Sequence, residues 1–424
     1  MVSLDRGPVR PDDVPAPAGG TSVGWWHALA TFALPLVAGL WAAATTFGGT
    51  IVPWRSVMVD LGVYLRAGGQ VLQQLPVYDE GSELPFLYPP LAALLAVPLT
   101  ALPVAVVEVG WVVLNVALLL AVMYRFNVRG WALGPAAAGV VLLVEPVKQT
   151  LAFGQLGIIL VALVVLDLVP GARLLDRWTG GRRLLPEGWA SGLGAALKLT
   201  PGITVPYLFL AGRRRSAAVA LGTFLGLGLL AALVMPRSSW AFWTRLVSGE
   251  SGLGGSVIYY ANQSISGAWL RIFRLAPGSE LTGLAVSAVA AALGVAVAVL
   301  WHRRGETGLA VALLGVASLL ASPVSWGHHF VWVVPLALVM ARPQVPMAVR
   351  ATGLLFAVHV AAAPWETLPG GADVELTYDT GQLVLASLTP VLGLVLLTVA
   401  LLQAVRRAPQ LGARPEPPGT APTR

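Results

Sequence analysis

No cysteine occurs in the 424 residues, which excludes disulfides, thiolate metal sites and cysteine nucleophiles and leaves cysteine silent about compartment. Charge is scarce too. Only 11% of residues are Asp, Glu, Lys or Arg, against roughly a quarter in soluble domains, so the chain is no ordinary soluble globule. Lysine is reduced to Lys148 and Lys198, and with abundant Ala, Gly, Pro and Arg this usage suits a GC-rich bacterial genome. Residues 1–24 have no apolar core between a basic head and a small-residue cleavage site, so they read as a disordered cytoplasmic tail rather than a signal peptide. The net charge of +7 comes from arginine clusters at the ends of apolar runs. That is how a membrane protein records its orientation, and it gives no nucleic-acid role.

What is present is hydrophobic: 56% of residues, with a mean hydropathy of +0.76. The chain reads as an all-α polytopic membrane protein. A span takes about 20 apolar residues, so about twelve spans are expected, with about eleven to thirteen compatible with the proline and glycine breaks. Residues 25–405 form one transmembrane domain, and 406–424 are a Pro-rich disordered cytoplasmic tail. Reading the arginine clusters as inside puts three loops on the outer face: a first at about 48–88, a second at about 236–280, and a His-His loop at about 321–330. A loop with Glu366, Asp373, Glu375 and Asp379 falls on the same side. Parity from Pro89 to Pro201 stays open, because its apolar runs can be cut in several ways.

The polar stretch Val57 to Pro90 carries Asp60, Tyr64, Arg66, Gln70, Tyr78, Asp79, Glu80, Glu83 and Tyr88. Asp60 follows the first apolar run. A carboxylate held there can act as general base on a hydroxyl, or can cap the helix that follows. Asp79, Glu80 and Glu83 read as solvated loop charges. Lys198 interrupts the run WASGLGAALKLTPGITVPYLFLAG. A lysine at mid-span costs about 2.5–3.5 kcal/mol on insertion scales, so this run is expected as two short halves meeting near one membrane face, with Lys198 at the joint.

Lys198, Lys148 and Arg66 could neutralise a leaving phosphate, although Lys148 and Arg66 could equally snorkel to head groups. His328 and His329, two of the five histidines, could contact phosphate or sugar, or could belong to an interfacial belt beside Trp326 and Trp332. No further ligand stands near them in sequence, so no metal site is assigned. Gln155 and the Asn262-Gln263-Ser264 group could bond sugar hydroxyls or satisfy broken helix ends.

The ordered motifs VDLGVYLRAG, PVYD, FLYPPLAALLAVPLTALP, FGQLG, GLGAALKLTPG followed by Arg213 to Arg215, NQSISGAWLR and SPVSWGHH resemble the actinobacterial polyprenol-phosphate-mannose-dependent mannosyltransferases of glycosyltransferase family 87. The resemblance covers about Val57 to Val334 and is strongest to members that extend phosphatidylinositol mannosides in α-(1→2) linkage. It implies a GT-C fold with its active site on the periplasmic side of the plasma membrane, both termini being cytoplasmic. It also implies a catalytic Asp in the first outer loop, a position that Asp60 matches. Asp60 would deprotonate an acceptor mannose hydroxyl of a phosphatidylinositol mannoside. That oxygen would attack C1 of polyprenyl phosphomannose with inversion.

In that reading Lys198, Arg66 and His328 or His329 serve the donor phosphate, and Tyr64, Tyr88, Gln155 and Asn262 shape the sugar pocket. Some GT-C enzymes pair acidic residues in this loop and use a divalent metal. Here Val59 and Leu61 flank Asp60, so no metal and no other cofactor is expected. Two rivals stand beside this reading: transfer of another polyprenyl-phosphate sugar such as arabinofuranose, and a lipid or polyprenyl-phosphate transporter. The transporter is disfavoured because no internal repeat is evident and the polar residues cluster at span ends.

Overall fold

A computed structural model describes residues 25–78, 84–171, 180, 183–248 and 257–406. The tails and Asp79, Glu80 and Glu83 lie outside the described residues. Among the described residues the chain is all-helical, with two isolated bridges and no strand.

Five helices are long and apolar enough to cross a bilayer: Val104–Arg125, Arg214–Val234, Ser279–Arg303, Met347–Thr367 and Thr380–Arg406. A sixth crossing results if Gly130–Leu143 and Glu145–Phe153, bent by 80° at their junction, count as one. Shorter apolar helices accompany them, among them Leu29–Thr45, Gly157–Leu168 and Thr307–Ala321.

The first helix, α1 (Trp25–Thr45), leads to the amphipathic α2 (Val59–Leu72), which packs on α3 (Pro90–Ala96). After Pro103 comes α4 (Val104–Arg125), so the long apolar run from Pro89 is one crossing preceded by a short helix. The two ends of α4 lie in contrasting surroundings. Near its start, in the second turn, Glu108 accepts the indole N–H of Trp54 at 2.7 Å. At its far end Arg125 donates to the Leu166 carbonyl at 3.0 Å and the Val169 carbonyl at 2.5 Å, at the close of α7 (Gly157–Leu168). With 22 residues at 1.5 Å each, α4 separates those ends by about 33 Å, the thickness of a bilayer core.

Other arginines gather on the Arg125 face. Arg303 bonds Leu210 O, Arg304 bonds Ala404 O, Arg350 bonds Met340 O, and Arg342 stacks over Phe126. Each meets carbonyls or an aromatic ring at a helix end, where orphan acceptors need donors.

The Lys198 run turns out to be a hairpin. Its limbs are α8 (Trp189–Leu197) and α9 (Thr204–Leu210), joined by Lys198 in extended conformation and a 3-10 turn over Thr200–Ile203. Both limbs end on the arginine face. There Glu187 pairs with Arg183 and Arg213 and accepts the Ser216 hydroxyl at 2.6 Å, and Asp167 accepts the amides of Gly188 and Ser191. Lys198 therefore occupies the tip, raised about 14 Å from that face by the nine residues of α8.

From Arg214, α10 (Arg214–Val234) runs the other way to α11 (Pro236–Ser248) and α12 (Ile265–Ile272). The expected loop 236–280 is thus partly helical. The apolar residues of PRSSWAFWTRLVS recur at helical rather than strand spacing. The rest of the bundle is α13 (Ser279–Arg303), α14 (Thr307–Ala321), a 3-10 turn at Gly327–Trp332, α15 (Val333–Met340), α16 (Met347–Ala362) and α17 (Thr380–Arg406). Gly315 of α14 lets the Trp332 ring lie directly on the helix, because a Cβ there would stand 2.0 Å from the indole.

Candidate active site

On the side of the bundle away from the Arg125 face a cavity of about 310 Å³ opens between α2, the segment before α3, the hairpin tip, α11 and the 3-10 turn. Asp60, Tyr88, Gln155, Lys198 and His329 all line it. Five elements distant in sequence meet there.

Asp60 sits in the first turn of α2. The N-cap is Met58, and no side chain caps the helix, so the capping alternative falls away and the carboxylate faces the cavity. Its partner Gln155 is set by Gly154, which ends α6 (Glu145–Phe153) in the left-handed region at φ 73°. A Cβ on Gly154 would stand 2.6 Å from Leu61 Cβ. Only glycine lets the α6–α7 turn approach α2 this closely.

Gln155 accepts at Oε1 from the hydroxyls of Tyr88 at 2.9 Å and Tyr64 at 3.1 Å. Its amide hydrogen-bonds Asp60. The two tyrosines also touch each other, O to O at 2.9 Å. Tyr78 donates to the Tyr88 carbonyl at 2.7 Å, and the Tyr88 ring lies 5.0 Å from the Lys198 ammonium. Burial pushes the Asp60 carboxyl up to about 6, against the opposing pull of Gln155 and of the Lys198 charge. A carboxyl with that value could serve as a base near neutral pH.

In the same cavity Lys198 Nζ lies 2.8 Å from His329 Nε2. The Trp326 amide donates to His329 Nδ1 at 3.1 Å, so a neutral ring carries its proton on Nε2. That N–H can donate to Lys198 Nζ only while the lysine is a free amine. Once protonated, the lysine and the ring N–H are both donors, and an anion bound beside the pair can accept from both.

The remaining sequence candidates fall elsewhere. His328 is buried against Phe153, rings 5.1 Å apart, and its Nε2 has no partner. The backbone carbonyl of His328 accepts the Thr150 hydroxyl at 2.8 Å. Asn262 is fully buried as a clasp, donating to Val257 O and accepting from the amides of Ser264 and Ser325. The exposed Arg66 bonds Leu84 O, and Lys148 pairs with Glu145 at 2.5 Å. None of these four side chains lines the cavity.

Conversely, Phe242, Arg245 and Leu246 of α11 do line it, although their segment was expected as an outer loop. Their helical spacing was the available signal. Among the described residues no three His, Asp or Glu side chains gather as a metal site would require.

Residues 86–323 match the family profile of glycosyltransferase family 87. Among curated proteins, the chain is 33% identical over 325 residues, 69% of its length and 71% of the relative's, to a "polyprenol-phosphate-mannose-dependent alpha-(1-2)-phosphatidylinositol mannoside mannosyltransferase" of Mycobacterium tuberculosis. It is 29% identical over 400 residues, 80% of its length and 85% of the relative's, to a protein of the same name from Mycolicibacterium smegmatis. A "phosphatidylinositol pentamannoside mannosyltransferase" of the latter organism is 31% identical over 344 residues, 74% of this chain and 78% of that one. No solved structure matches the chain. With more than half its length inside the family profile, the chain belongs to glycosyltransferase family 87.

Proposed function

We propose that this glycosyltransferase moves mannose from polyprenyl phosphomannose to a mannose hydroxyl of a phosphatidylinositol mannoside, with inversion, giving an α-(1→2) linkage. The relatives' names supply the substrate classes. The observation that carries the reading is that Asp60, Lys198 and His329 line one cavity.

The Asp60 carboxylate takes the proton of the acceptor hydroxyl, whose oxygen attacks C1 of the donor sugar. The C1–O bond to phosphate breaks, and its electron pair leaves on the phosphate oxygen. Lys198 and the His329 Nε2–H receive that charge, where preorganised donors act most strongly. In this proposal those side chains do the work that a divalent ion does in other transferases.

The proposed site faces the periplasm. Arginine-rich ends mark the cytoplasmic side, and α4 runs from the Arg125 face to the opposite end. Taking α1, α4, α5 (Leu133–Leu143), α7, α10, α13, α14, the run Gly327–Met340, α16 and α17 as crossings, and α8–α9 as a re-entrant pair, keeps the arginine-bearing ends on one side. That makes about a dozen membrane segments, with both termini cytoplasmic.

Membranes carrying the wild type or Asp60→Asn, supplied with labelled polyprenyl phosphomannose and a phosphatidylinositol mannoside, test the reading. Label in the acceptor with wild type alone is expected. Equal transfer by the variant, or none by the wild type, overturns it.

A further inference from the structure

The cavity has a second cation that the transfer chemistry above leaves unused. Arg245 lines it from α11, while Lys198 lines it from the hairpin tip. Tyr78, which donates to the Tyr88 carbonyl at 2.7 Å, lines the cavity as well. The two cations thus enter one cavity from two different elements.

α11 is placed by its aromatic face. Phe242 lies 5.6 Å from Tyr78 and 5.0 Å from Trp243, and Trp243 packs 6.1 Å from Phe224 of α10. Its other face carries Trp240 and Val247, 75% and 86% exposed. An amphipathic helix with an outward tryptophan rests at head-group level. The phosphodiester of a glycerophospholipid sits at that same level.

Both proposed substrates are anionic lipids, one with a phosphate on the reacting sugar and the other with a phosphodiester remote from it. Resting on the proposed function, we infer that Arg245 binds the phosphodiester of the glycophospholipid acceptor, assigning the acceptor to the α11 side of the cavity and the donor phosphate to Lys198 and His329. Arginine suits the task because its planar fork matches phosphate oxygens in a bidentate way. Arg245 in this role is a specificity residue. It selects mannosides that carry a lipid phosphodiester and takes no part in the bond change.

The test compares two acceptors in detergent-solubilised full-length enzyme: a phosphatidylinositol mannoside and the uncharged octyl α-mannopyranoside, each with saturating polyprenyl phosphomannose. Arg245→Ala is expected to raise KM for the anionic acceptor about tenfold or more, with KM for octyl mannoside and for the donor unchanged. Arg245→Lys is expected to restore part of the loss. Retained turnover of octyl mannoside reports that the variant is folded. Equal effects on both acceptors, a rise in donor KM alone, or no change would each overturn the inference. A wild type that mannosylates neither acceptor would sink the proposed function itself, and this inference with it.

Discussion

Nζ of Lys198 and Nε2 of His329 stand 2.8 Å apart, and the Trp326 amide on Nδ1 dictates that Nε2 carries the ring proton. An anion bound beside the pair can accept from the ring N–H and from a protonated Lys198. Lys198→Met and His329→Phe are each expected to lower kcat/KM about 100-fold, the scale of losing a preorganised donor to developing charge. Lys198→Arg should recover little, because a planar fork does not replace a compact ammonium. Steady-state kinetics with varied donor check this, and an undiminished Lys198→Met enzyme would remove the pair from the mechanism.

Asp60→Asn keeps the shape of the side chain and removes the base, so a fall of about 10²- to 10⁴-fold in kcat/KM is expected. In the proposed mechanism the active form is the carboxylate, and its pKa is raised to about 6. Wild-type kcat/KM should therefore climb with pH to a shoulder at about 6. A profile whose acid limb lies at the ordinary carboxyl value of 3.8 would contradict the buried setting.

Gln155→Leu removes the hydrogen bond that holds the Asp60 pKa down and leaves the Tyr64 and Tyr88 hydroxyls without their shared acceptor. The acid limb is expected to move to higher pH. A limb that stays in place or falls would show that Gln155 does not act on the carboxylate.

Gly154→Ala meets two penalties, a left-handed backbone at φ 73° and a Cβ 2.6 Å from Leu61. About 1–3 kcal/mol of destabilisation is expected, read as a lower thermal midpoint in detergent. Activity should fall as well, because Gln155 moves with the turn. An unchanged midpoint would mean that the α6–α7 turn relaxes freely.

Chelation is expected to leave transfer intact, since Lys198 and His329 are proposed to take the leaving charge. Assays with and without EDTA decide the matter. Loss of activity restored by magnesium or manganese would overturn metal independence.

Asp60, Gln155 and Lys198 were legible in the sequence because each is a polar interruption of an apolar pattern, which membrane energetics makes costly and therefore noticeable. The break at Lys198 was legible for the same reason. That the two halves form a hairpin was not, because it depends on Glu187 finding Arg213 and Ser216 across the turn. Arg245 was hidden in a segment taken for loop, where short helical spacing is ambiguous against aromatic clustering. Asn262 and His328 show the opposite limit. Both are polar and near the site in sequence, yet packing turns Asn262 into a clasp for the backbone at Ser264 and Ser325 and turns His328 onto Phe153. Only the tertiary arrangement distinguishes such residues from a ligand-facing neighbour such as His329.

The hairpin also bears on where a long isoprenoid can stay during the reaction. Drawing such a tail into water costs about 0.8 kcal/mol for every methylene exposed, a penalty that no pair of hydrogen bonds offsets. α8 lifts Lys198 from the arginine face into the bundle; in the proposed mechanism this carries the cation to the lipid's charge, so the tail can remain in hydrocarbon while only the sugar and phosphate enter the cavity.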